Sequence, residues 1–170
     1  MAWRSLWQNH IEGERLAETD VFDAQLICNL GWSIGIQQED YTQAIYRQGR
    51  LFEHPDIDRI SSWEQADHRC HIALARLLNG DIEKAVNDYR SILNGLADKD
   101  TRSIRPLVRN HLFNFAEQEN PTNLSPNFLQ NLVIEVLELH PDQEQRLKTL
   151  RTQTLTYAEI AAALKTTYPI

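Results

Sequence analysis

Apolar residues recur at three- and four-residue intervals along almost the whole chain, and sustained two-residue alternation is missing. The first spacing belongs to an amphipathic helix and the second to a half-buried strand, so the pattern predicts an all-α protein. Nine helices follow from it. The first covers Ala2 to Ala17, with Trp3, Leu6, Trp7, His10 and Ile11 on one stripe. The second runs from about Val21 to Gln37 behind an Asp20 cap, with Phe22, Leu26, Cys28, Asn29, Leu30 and Ile34 available to the core. The third spans about Tyr41 to Phe52 and stops at His54-Pro55-Asp56, because proline cannot continue a helix.

A loop over residues 53–61 leads to a fourth helix, about Trp63 to Leu78. Ser61 or Ser62 can close a capping box with a side chain three residues on. Gly80 is placed to end that helix in the left-handed conformation, and Asp81 caps a fifth, about Ile82 to Leu96. A sixth covers about Arg102 to Gln118 and ends at the breaker cluster Glu119-Asn120-Pro121. Ser125-Pro126 opens a seventh that ends at His140-Pro141. An eighth is expected over Gln143 to Thr152. The ninth, Tyr157 to Thr166, starts at the capping box Thr156-x-x-Glu159. No connection is long or biased enough to divide the chain, so residues 1–170 read as one domain.

Charge and composition narrow the partners. The 170 residues are 42% hydrophobic, a globular share, and carry a formal net charge of -7. An acidic chain disfavours a nucleic-acid backbone as the main partner, since phosphate binding needs a basic surface. No apolar run approaches the roughly 20 residues that span a bilayer. The opening residues are too polar for a signal peptide, and Cys28 and Cys70 sit in apolar helical patterns as buried free thiols rather than as a disulfide framework. The expected location is cytoplasmic; the oligomeric state stays open.

One segment carries more than periodicity. Between Ala66 and Leu96, an apolar helix ends at Gly80-Asp81 and the next begins at once, with Ala85 and Tyr89 one turn apart. This unit resembles the tetratricopeptide repeat family: Ala73 and Ala85 stand at its small positions and Tyr89 at its aromatic one. Where the family has Trp or Leu early in the first helix, this chain has His71-Ile72. Units over about residues 21–52 and 102–141 are more degenerate, and Ala44 and Ala85 are 41 residues apart against a family period of about 34. The resemblance implies a right-handed stack of antiparallel helical hairpins with extra helices at both ends.

Candidate chemistry is sparse. His68 and His71 share a helix face, while Cys70 points elsewhere and no second Cys/His pair completes a four-ligand zinc set. Arg105 and His111 have the spacing of some small helical nucleases, a spacing common by chance. Residues 154–164 resemble the first helix of a helix-turn-helix, and no recognition helix follows before Ile170. No phosphate loop, nucleophile elbow or selected carboxylate pair appears. On sequence alone no catalytic residue, cofactor or metal ligand is assigned.

The resemblance implies a non-catalytic protein-interaction or adaptor module that binds a peptide or protein in a helical groove. The residues expected to line it are Asn29, Trp32, Gln37, Arg69, Arg76, Arg105 and Arg109. Two other readings remain: an acidic inhibitor or immunity-type protein that neutralises a basic partner, and a small all-helical enzyme with a pocket of titratable groups.

Overall fold

The computed structural model describes residues 14–94, 107–108, 110–113, 125–138, 148 and 151–165. Every regular element among them is helical, and no strand occurs among the described residues. The α-helices are α1 (Val21–Gln37), α2 (Tyr41–Gly49), α3 (Ser62–Leu78), α4 (Ile82–Asn94), α5 (Pro126–Glu138) and α6 (Tyr157–Lys165). Residues 107, 108 and 110–113 are also helical. None of these helices is long and apolar enough to cross a membrane.

Local chemistry sets most of the boundaries. Asp20 and Asp40 accept the Phe22 and Gln43 amides and so cap α1 and α2. Ser61 and Glu64 form a reciprocal capping box at the start of α3, and Thr156 and Glu159 repeat it at α6. The helix expected to reach Phe52 leaves the α conformation at Gly49, and Arg50–Glu53 continues as a 3-10 turn. Another 3-10 turn, Ile57–Arg59, lies inside the predicted loop, which Gln65 ties to α3 through the Ile57 and Ile60 carbonyls. Buried His54 closes the other side. The Asp56 amide donates to its Nδ1, so the Nε2 proton is left to donate to the Thr19 carbonyl at 3.1 Å. Glu14–Glu18 is a 3-10 helix rather than the end of an α-helix, and residues 1–13, with Trp3 and Trp7, lie outside the described residues.

Two turns share one hydrogen-bond pattern. At the end of α1, Glu39 takes a φ of 56° and the Asp40 amide donates to the Gly35 carbonyl. At the end of α3, Gly80 takes a φ of 83° and the Asp81 amide donates to the Arg76 carbonyl. In both cases the aspartate carbonyl then accepts the amide of a buried alanine, Ala44 or Ala85, and the next helix begins. The products are two consecutive helix pairs, α1 on α2 and α3 on α4, joined by packing of α2 on α3.

The buried face of α1 includes Cys28, as expected, and otherwise differs from expectation. Phe22, Leu26 and Leu30 are largely exposed, and the helix turns Val21, Ala24, Cys28, Gly31 and Gly35 inward. Because α1 is apolar nearly all round, periodicity could not choose its core side. Small residues chose it, since they let the α2 backbone approach closely. Two apolar clusters result. One gathers Leu16, Val21, Ala24, Cys28, Leu51 and Ile60. The larger runs from α3 and α4, through Val108 and Leu112, to Leu129, Val133, Leu155 and Ile160. Tyr89, fully buried, belongs to it.

Candidate functional site

Two faces of α3 carry clustered polar side chains. The first borders a cleft of about 280 Å³ lined by Phe52, Arg69, Ile72, Arg76, Asp88, Ser91 and Ile92. Residues 69, 72 and 76 fall on one stripe of the helix. Arg69 is exposed, and its guanidinium lies 5.1 Å from the centre of the Phe52 ring, a cation–π arrangement. It makes no salt bridge with the described residues. Arg76 is half-buried and pairs with Asp88. Burial pushes the Asp88 carboxyl up, against the pull of Arg76 and Arg69. With Arg76 and Asp88 paired, the cleft keeps the single positive charge of Arg69, beside apolar walls from Phe52, Ile72 and Ile92.

The second face is a buried cluster of imidazoles. His68 is 1% exposed, and its Nδ1 meets the Gln48 amide nitrogen at 2.9 Å. His71 stacks on Trp32 with ring centres 4.2 Å apart, and the Trp32 indole N–H donates to the His71 carbonyl at 2.9 Å. His111 meets His71 edge-on at 5.1 Å, and its Nε2 reaches the Asp67 carboxylate at 3.4 Å. Burial pushes the His68 and His71 rings down in pKa, His71 to about 4, so both are neutral near pH 7. Burial raises the Asp67 carboxyl. The His111 hydrogen bond and the nearby imidazoles outweigh it and hold Asp67 below its ordinary value.

The predicted groove residues thus separate. Arg69 and Arg76 share the cleft, one exposed and one paired. Trp32 is half-buried and turned onto α3, not onto the cleft. Asn29 is half-buried, with an Oδ1 that has no hydrogen-bond partner among the described residues. Gln37 is exposed at the end of α1. Arg105 and Arg109 lie outside the described residues. The helix-turn-helix-like segment packs inward: the Gln130 side chain binds the Gln153 carbonyl and the Leu155 amide, and Ile160 is fully buried.

The sequence sets Cys70 apart from His68 and His71, and the structure agrees: Cys70 lies in the apolar core, where burial pushes its thiol up. The residue that stands beside the imidazoles is Asp67, which the sequence reading did not single out. The spacing of residues 67, 68 and 71 could have indicated this, because 67 and 71 are one helical turn apart. Gln48 and His111 arrive from distant segments and left no local signal. Scans against protein-family models, curated proteins and solved structures found no match to this chain.

Proposed function

We propose that this chain is a non-catalytic interaction module, a stack of helical hairpins resembling tetratricopeptide repeats, that holds an acidic group of a peptide or protein partner in the cleft under Arg69. One observation carries the reading: an exposed guanidinium held over Phe52, with no salt bridge to a carboxylate among the described residues, at the mouth of an apolar-walled cleft. Such a group binds a carboxylate through charge-assisted hydrogen bonds, and the flanking Ile72 and Ile92 suit an apolar neighbour of that carboxylate. A space of about 280 Å³ suits one or two side chains better than a cofactor. The two turns that share a hydrogen-bond pattern support the hairpin-stack part of the reading.

Arg69 is the residue to test. Reversing Arg76 would also strand Asp88 in a half-buried site, so its effect would mix folding with binding. A library of random peptides with free C-termini, panned against the whole chain, should enrich an acidic group beside an apolar residue. Arg69→Glu should abolish that enrichment. An enriched motif without an acidic group, or one that Arg69→Glu retains, contradicts the proposal.

A further inference from the structure

We infer that Asp67, His68 and His71 bind one divalent transition-metal ion of the zinc type. One ligand atom from each residue lies within 4.8 Å of the other two. Tetrahedral zinc with bonds of about 2.0–2.1 Å needs donors roughly 3.3 Å apart, so modest side-chain rotations close the set. All three residues come from a single stretch of α3, and the rigid helix positions them.

The nitrogens support the same assignment. His68 Nε2 and His71 Nδ1 are buried and have no hydrogen-bond partner among the described residues. Leaving such a group unmet costs about 1–3 kcal/mol, and a cation held between the rings would satisfy both. Gln48 prepares His68 for this. Its Oε1 has no partner among the described residues, and turning the amide by a half-rotation sets that oxygen on the His68 Nδ1–H. The ring then presents the Nε2 lone pair, with its tautomer fixed by the outer partner.

Asp67 supplies the negative charge that a buried cation needs, and the His111 Nε2–H orients its carboxylate. Trp32, stacked on His71, covers one side of the set. Two imidazoles and one carboxylate suit zinc and its first-row neighbours rather than magnesium or calcium, which prefer oxygen donors throughout. Three protein donors leave a coordination position for water or an outside ligand. This site lies on a different face of α3 from Arg69 and does not depend on the cleft.

The test uses the full chain stripped with a chelator and titrated with zinc alone, followed by calorimetry and by the imidazole proton resonances. One equivalent should bind, and the ring resonances of His68 and His71 should move. Asp67→Asn and His71→Gln should each weaken binding by at least about 10- to 100-fold, the loss typical of removing an outer partner of a ligand, with helix content unchanged. The resonance readout on the unmutated chain decides the matter even if a variant fails to fold. No binding, movement confined to His10, His54 or His140, or undiminished affinity in both folded variants overturns the inference.

Discussion

Ala44 of α2 rests directly on Gly35 of α1. A Cβ built on Gly35 would stand 2.8 Å from the Ala44 Cβ and 2.9 Å from its Cα and amide nitrogen. Two of those three atoms are backbone, so the contact cannot be relieved by turning a flexible side chain. The crossing of the first helix pair is set there, and that pair carries Gln48 to His68.

Gly35→Ala should therefore destabilise the protein by about 1–3 kcal/mol, as overpacking does in a close-fitted core. Gly49→Ala is the matched control. It is helical, and a Cβ there meets nothing within 4 Å. That change should be neutral or stabilising by roughly 0.5–1 kcal/mol. Urea unfolding of the two variants checks both signs, and equal effects would show that α1 and α2 do not meet this closely.

Glu39 occupies the left-handed position that Gly80 fills in the second pair. A side chain there costs about 1–2 kcal/mol, part of which a glycine gives back through its freer unfolded state. Glu39→Gly should raise stability by about 0.5–1 kcal/mol, and Gly80→Ala should lower it by a comparable amount. A loss of stability in Glu39→Gly would mean that the carboxylate contributes something the backbone geometry does not show.

Acid should weaken the metal-free protein through its buried imidazoles. Burial holds the His68 and His71 rings below their ordinary value, His71 at about 4. The groups acting on His71 are Asp67, His68 and His111. A depressed folded-state pKa means that the unfolded chain takes up the proton first. The stabilising contribution is thus complete above about pH 6.5 and is lost as the pH falls toward 4. Asp67, also held low, loses its share only below about pH 4. From about pH 7.5 to pH 5, His71 alone should cost on the order of 2 kcal/mol. Urea midpoints measured with chelator present check this, and a flat profile over that range contradicts a buried neutral His71.

Local rules made much of the helix map legible. Asp20, Ser61 with Glu64, Gly80 with Asp81, and Thr156 with Glu159 each satisfy backbone groups within five residues, so their sequence signature is their mechanism. The α1 to α2 turn was legible in its bounds but not in its geometry, because glutamate is not the residue that a left-handed position advertises. The core side of α1 was hidden for another reason: Phe22 and Leu26 are as apolar as anything the helix buries, and only close packing selects Ala24 and Gly35. Arg69 and Arg76 were both legible as helix-face cations. Asp88, twelve residues beyond Arg76, decides which of them is paired. The meeting of His111 with Asp67 depends on chain folding across 44 residues, which no periodicity encodes.

Whether Arg69 holds a partner's acidic group is decided by a double-mutant cycle. The two changes are Arg69→Gln in the protein and carboxylate to amide in the peptide that panning selects, with affinities measured by fluorescence anisotropy. If the guanidinium and the carboxylate touch, the two losses overlap and the coupling energy should be at least about 1 kcal/mol. Additive losses, with a coupling near zero, would mean that the partner's acidic group does not sit under Arg69.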